Sequence, residues 1–391
     1  MEKRFSLDMT EGPFLKKILL FSVPLMLTGL LQLAYNSADV MVVGECVGPE
    51  ALAAVGSTGS LVNLFLNVFL GLSMGSGVMV ARHIGERDDN KIHECVHTAM
   101  LMSVVCGVFI GAVGFFTSKY MLKIMQVPPD VIELATLYLK IYFLGSPGLL
   151  VYNFGASIIR ATGDTKRPLY ILSFSGLVNV GLNLLLVLVF NMGVSGVAIA
   201  TIVSQYLSAL FIVLYLLKMP NACRLIIKKL KIYKTELKSI VKLGVPAGVQ
   251  NSLFSVSNVI IQSNVNSFGS VAMAGIAAGS NFDSYVYTCT NAVAQTTMNF
   301  TSQNMGAKKF YNVGKVYRYC LIITLIVGLV VDYFVPISGW LGKVDLNVAA
   351  WESLLCLIIK IAVISVVYIG LIFLICLDNQ DKKNLLSRIK K

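Results

Sequence analysis

Thr28, Gln32, Tyr35 and Asp39 stand at i, i+4, i+7 and i+11 in an otherwise apolar run, a spacing that draws one polar stripe down a helix face. Asp39 lies fifteen residues beyond Pro24, roughly 22 Å further along a helix axis at about 1.5 Å per residue. A carboxylate at that depth costs on the order of 2.5–3.5 kcal/mol in a bilayer, so an intramembrane acid is a functional residue by default. Its chemistry is proton exchange or cation binding, and it calls for a wet cavity. The plainer reading, an Asp near the outer interface that meets only water, leaves the other three polar positions unexplained.

Asn179 and Asn183 are one helical turn apart in a second apolar run, and Thr201 lies in a third. An amide in hydrocarbon needs a partner. Two arrangements satisfy that need: the side chains surround Asp39, or they bind helices to one another. The later part of the chain repeats the device with Asn251, Ser255, Asn258 and Gln262, and then with Asn281, Ser284, Thr288, Asn291 and Gln295. With Gln32 and Asn36, the residues Asn251, Asn258, Gln262, Asn291 and Gln295 are the candidates for lining a substrate cavity. Asp283 is a second carboxylate candidate for that cavity. Position 261, the counterpart of Asp39, is Ile261, so the acid chemistry sits on one side of the molecule.

His93-Glu94-Cys95-Val96-His97 matches H-E-x-x-H, which on a helix sets two zinc ligands on one face with a glutamate as general base. Here the motif straddles a charged connector, and the remaining histidine, His83, has no independent support as a third ligand. A solvated helix start is the favoured reading, and no metal is expected.

Of the 391 residues, 56% are hydrophobic and only 13% charged, against about 25% charged in soluble domains. This composition excludes an ordinary soluble domain and implies an all-α integral membrane protein. Runs of the roughly 20 residues needed to cross a bilayer fall at 18–43, 52–80, 96–117, 131–155, 169–190, 195–217, 241–267, 272–301, 314–336 and 350–377. With those ten spans, twenty-seven basic residues fall on the side of the N-terminus and three on the other, which predicts both termini in the cytoplasm. Topology thus accounts for the net charge of +12 without nucleic acid, and anionic lipid is the natural partner of the basic stretches. The charged N-terminus lacks a cleavable signal pattern, so the first span is expected to stay as an anchor. None of the eight cysteines shows C-x-x-C spacing, and no disulfide is expected.

The chain is also built twice. Phe21-Ser22-Val23-Pro24, a small-residue loop over Gly48 to Val55, and Ile84-Gly85 recur as Leu243-Gly244-Val245-Pro246, a loop over Gly269 to Ile276, and Met305-Gly306. Duplicated helix bundles with a pathway between the halves are how many secondary transporters are made. The expected organisation is a six-helix bundle over 1–218, a basic cytoplasmic linker over 219–240, and a four-helix bundle over 241–391. Within the linker, I-I-K-K-L-K-I-Y-K predicts a short amphipathic helix or a solvated loop. Lys140 and Lys360 correspond early in the fourth span of each half, where a lysine can snorkel to the outer interface. Beyond Lys360 the repeat fades, and the second bundle is two helices shorter than the first.

In combination, Asp8-Met9-Thr10-Glu11-Gly12-Pro13, the first span ending in Asp39-Val40-Met41-Val42-Val43-Gly44, the Ala-Leu-Ala-Ala segment, and Arg160-Ala161-Thr162-Gly163-Asp164-Thr165-Lys166-Arg167-Pro168 resemble the bacterial multidrug and toxic compound extrusion (MATE) family. The resemblance is close over 1–335 and poor beyond. It implies two related bundles of a MATE-like fold in the bacterial cytoplasmic membrane, no cofactor, and export of amphipathic, often cationic compounds against protons or sodium ions. It also implies Tyr35, Asp39, Asn179, Asn183 and Thr201 as the ion-coupling set, and Pro24 as the bend point of the first helix. Asn183 stands where that branch often has a second aspartate. A shortened member that inserts without transporting is the main alternative, followed by a lipid-linked sugar flippase and an intramembrane zinc protease using His93, Glu94 and His97. A monomer is expected, or a dimer if ten helices are the native number.

Overall fold

The computed structural model describes the backbone of residues 7–125, 127, 129–266 and 270–334, and the side chains of these except 49, 50, 53, 57, 60, 61, 64, 130, 258–266, 270–283 and 327–334. Two compact units divide the chain, 1–328 and 329–391, and the second contributes only the helical residues 329–334 to the described part.

The helices are α1 (Phe14–Cys46), α2 (Pro49–Glu86), α3 (Asp89–Ile124), α4 (Pro129–Leu144), α5 (Ser146–Ala161), α6 (Lys166–Leu184), α7 (Gly193–Leu217), α8 (Lys234–Asn266), α9 (Ser270–Gly306) and α10 (Phe310–Phe334). Nine of the expected spans fall on them; the tenth, 350–377, lies outside the described residues. Among the described residues, five helical stretches are long and apolar enough to cross a membrane, and α4 with α5 forms a sixth, bent by 46°. The bend follows from Gly145-Ser146-Pro147. Pro147 has no N–H to continue the helix, and it nests against Gly107 of α3, where a Cβ would stand 2.5 Å from the Pro147 Cα. Lys140, on α4, lies with its ammonium 5.4 Å from the centre of the Phe115 ring.

One local expectation is corrected. The small-residue loop over Gly48 to Val55 shrinks to Val47 and Gly48, because Pro49 occupies the first turn of α2 with its φ already set and Ala51, Leu52, Ala53 and Ala54 propagate the helix. The I-I-K-K-L-K-I-Y-K stretch takes the loop alternative, with one 3-10 turn at Ile227–Lys229 before α8 starts at Lys234. The segment is tied down by its backbone rather than by an apolar face: Ile226 donates its N–H to His97 Nε2 at 3.0 Å, and Tyr233 donates to Thr98 Oγ1 at 3.0 Å.

One large apolar core joins α2, α3, α4, α5 and α7, and a second joins α1 to α9 and α10 through Phe21, Phe300 and Val316. The halves meet along α2. Gly71 and Gly75 of α2 face Gly244 and Gly248 of α8 with no side chain between them; a Cβ on Gly75 would stand 2.8 Å from the Gly244 nitrogen. Such four-residue spacing of small residues lets two helix backbones touch in an apolar medium, where dispersion replaces the hydrophobic effect.

The N-terminal stretch closes the same end of the molecule. Met9 is fully buried, its N–H reaching Gln303 Oε1 at 3.3 Å and its carbonyl accepting from Asn304 at 2.9 Å. Asn312 donates to the Thr10 carbonyl at 3.0 Å, and Leu7 packs against Gly163, whose φ of +92 belongs to the left-handed region. Residues 7–13 therefore strap the turn after α5 to α9 and α10.

Candidate functional site

Pro24 lies inside α1, which contacts α9 on both sides of it. Below it, Ile18 and Phe21 are buried against α9, with the Phe21 and Phe300 rings edge to face at 5.6 Å. At Pro24 the helix continues, and the Thr28 hydroxyl donates to the Pro24 carbonyl at 2.7 Å. Above it, Gly29 still lies against Thr288 of α9, and Tyr35 and Asp39 of the stripe meet α6. The Tyr35 ring lies on Gly176, where any Cβ would overlap it, and the Tyr35 hydroxyl donates to the Ser173 carbonyl at 3.1 Å.

Asp39 meets Asn183 directly. The Asn183 amide nitrogen donates to Asp39 Oδ1 and is 3.4 Å from Asn179 Oδ1. Asn179 and Asn183 are buried at 5% and 0% exposure, whereas Asp39 is only half-buried, so the pair seals the inner side of the acid and leaves the other side open. The Asn183 carbonyl oxygen is buried with no hydrogen-bond partner. One residue beyond Asn183, Leu185–Val189 form a π-helical turn, an irregularity frequent at functional sites.

The sequence reasoning missed three neighbours. Tyr138 and Tyr142 of α4, stacked at 6.0 Å, lie within electrostatic reach of Asp39, and the Gln205 side chain of α7 lies beside Tyr142. Their signal was present: Tyr138 and Tyr142 are one turn apart, and Gln205 is one turn after Thr201. Thr201 itself turns its hydroxyl to the Val197 carbonyl at 2.9 Å. Tyr138 belongs to a buried apolar cluster with Val43, Val187, Val194 and Val197.

The other predicted cavity residues disperse. Gln32 and Asn36 are exposed, Asn251 and Asn291 half-buried. Gln295 accepts from Arg160 Nη1 at 2.8 Å, beside a void of about 20 Å³ also bordered by Ser157 and Asn299. Ser255, from the same stripe as Asn251, accepts from Asn67 of α2 at 3.0 Å. The side chains of Asn258, Gln262 and Asp283 lie outside the described residues.

The geometry gives the zinc alternative on His93, Glu94 and His97 no support. Both ring nitrogens of His97 are occupied by backbone, Nδ1 by the His93 carbonyl at 2.7 Å and Nε2 by Ile226, so His97 fastens the connecting segment and has no lone pair to offer a metal. His83, the third histidine, points into a different contact, between Glu86 and Glu236.

Comparison with known proteins agrees with this architecture. The model of the MatE family matches residues 24–185 and again 246–373, an offset equal to that between Pro24 and Pro246. The chain is 32% identical over 299 residues to the protein named "Probable multidrug resistance protein YpnP" of Bacillus subtilis (strain 168), covering 76% of this chain and 67% of that one. It is 29% identical over 316 residues to "Probable multidrug resistance protein YoeA" of the same organism, covering 79% and 68%. Its fold is similar, with a TM-score of 0.79 at 24% identity over 86% of this chain and 74% of the other, to the outward-facing conformation of a multidrug resistance MATE family transporter. Two copies of one family model in tandem, on a bundle of apolar helices, make this chain a member of the MatE family, a multi-pass transporter of the bacterial cytoplasmic membrane and not an enzyme.

Proposed function

We propose that the chain is an antiporter that exports amphipathic, cationic compounds in exchange for protons or sodium ions, with Asp39 as the coupling acid. One observation carries this reading. Asp39 is held by the Asn183 amide with no cationic side chain paired to it among the described residues, next to a buried Asn183 oxygen that has no partner. Oxygen acceptors gathered without a counter-charge favour a proton or a small cation, and the charge must be dealt with because an unpaired anion in a bilayer is costly. The names of the Bacillus relatives support drugs as the exported class.

Coupling follows from where α1 makes its contacts. Ion arrival at Asp39 competes with the Asn183 hydrogen bond, and the upper part of α1 is released from α6. Pro24 lacks the N–H that would hold the helix rigid at that level, so the motion is absorbed there while Phe21 stays on Phe300. The compound then leaves the space that Tyr35 and Asp39 border. The seven helices to Leu217 and the helices α8 and α9 act as the two moving bodies, as a single chain in lipid and without a cofactor.

The test is efflux of a fluorescent cationic dye from proteoliposomes under an imposed pH gradient or an imposed sodium gradient. Asp39→Asn is expected to abolish the response to whichever gradient drives the parent. Unchanged efflux removes Asp39 from the mechanism.

A further inference from the structure

The basic end of the seam holds a group of titratable side chains that the coupling site does not use. His83 of α2 directs Nδ1 at Glu86 Oε2, 2.9 Å away on its own helix, and Nε2 at Glu236 Oε2, 3.0 Å away on α8. The side chains of His83 and Glu236 are 6% and 8% exposed, so the contact across the halves is shielded from solvent.

We propose that His83, Glu86 and Glu236 form a second proton-binding site, complete only while α2 and α8 are closed at the basic face, and that opening of this face releases its proton.

The geometry requires the extra proton. An ionised carboxylate only accepts, so two ring nitrogens that each face a carboxylate oxygen both need an N–H, which makes the ring an imidazolium. If the ring were neutral, one nitrogen could donate and the other would need a proton from a carboxylic acid. Either way the three groups hold one proton more than a neutral histidine and two carboxylates.

The surrounding charges say which half keeps what. On α2, Arg82 Nε meets Glu86 Oε1 at 3.1 Å, and on α3 Lys91 lies 3.8 Å from Glu86 and 3.5 Å from Asp88. These stay together in any arrangement of the halves, because α2 and α3 belong to one core. Cys95 of α3, fully buried, lies near Glu236 and near Cys223 of the connecting segment. The stretch of α9 that meets this end of α2 brings Gln303, Gly306 and Ala307, none of them charged. Glu236 is thus the anion that leaves when α8 moves away, and His83 is the cation it leaves. Glu86 retains Arg82 and Lys91 and needs the imidazolium least.

Thermodynamic reciprocity supplies the direction. If closure assembles the proton site, proton binding favours closure, and a rise in pH at the basic face favours opening. With one proton coupled, the closed-to-open ratio changes by at most about tenfold per pH unit across the range in which the site titrates. This inference goes beyond the role proposed for Asp39 and does not depend on it.

The test uses the full chain in lipid nanodiscs with spin labels at the exposed positions Asn90 and Lys238, on α3 and α8, in an Asp39→Asn background so that the coupling acid contributes nothing. Distance distributions are recorded by pulsed electron resonance from pH 5.5 to 8.5. The short distance is expected to dominate at low pH and a longer one to grow as pH rises. His83→Gln and Glu236→Gln should each flatten this response, and His83→Lys, a fixed cation, should hold the short distance throughout. A response unchanged in His83→Gln and Glu236→Gln, or no response in the parent, overturns the proposal.

Discussion

Gly85 of α2 and Gly306 of α9 each lie against the backbone of the helix that carries the other: a Cβ on Gly85 would overlap the Gln303 carbonyl oxygen, and one on Gly306 would overlap the Arg82 carbonyl oxygen. The two glycines are repeat counterparts, 85 and 306, so the duplication places its own equivalent positions face to face. Backbone cannot swing aside as a side chain can. The contact is therefore a binary one, made or separated.

Gly306→Ala forces α2 and α9 apart and is expected to destabilise the closed seam by about 1–3 kcal/mol, the usual cost of overpacking. Thermal unfolding of the purified protein and solvent accessibility of a cysteine at the neighbouring Met305 read the effect. Gly314→Ala is the control. A Cβ there meets nothing within 4 Å, so the helix-propensity gain of about 1 kcal/mol should appear as unchanged or raised stability.

Asp8 makes the N-terminal strap dependent on acid. Burial pushes its pKa up, but the Thr10 N–H at 2.7 Å, the Thr10 hydroxyl at 2.8 Å, and the charges of Lys17 and Lys309 outweigh that and hold it below the ordinary 3.8. A depressed carboxylate contributes stability that is fully present above its unfolded value and lost as pH falls through the folded one. The strap should therefore show no titration of Asp8 between pH 5 and 8. At neutral pH, Asp8→Ala should raise hydrogen exchange at the Thr10 amide about fivefold, the equivalent of one intramolecular hydrogen bond of about 1 kcal/mol.

Arg160 and Gln295 form a polar pair across the seam, Nη1 to Oε1 at 2.8 Å, while Arg160 Nε is buried without a partner. Gln295→Leu removes the acceptor and strands the guanidinium, with an expected cost of about 1.5–3 kcal/mol. Replacing both residues, Arg160→Met with Gln295→Leu, should cost less than Gln295→Leu alone, because no buried charge is then left unpaired. Chemical denaturation of the four proteins of this cycle gives the coupling energy, and simple additivity would count against the pair.

Helical period, hydropathy and the duplicated order of motifs are local or one-dimensional properties, so nine of the ten spans, the repeat and the stripe from Thr28 to Asp39 were legible in the sequence by itself. So was the match of Asn183 to the region of Asp39, but only as one of two arrangements, since a stripe shows which side chains share a face and not what that face meets. Tertiary structure decided that Asn183 reaches Asp39 across 144 positions, that His83 reaches Glu236 across 153, and that Gln303 serves Met9 across 294. It also gave His97 to the backbone of Ile226 instead of a metal, and shortened the loop before α2 to two residues. These outcomes turn on how closely glycine-bearing helices approach, a matter of ångströms set jointly by residues far apart in the chain. No window of sequence contains both partners of such a contact, which is why the chemistry of each residue could be read early and its partner could not.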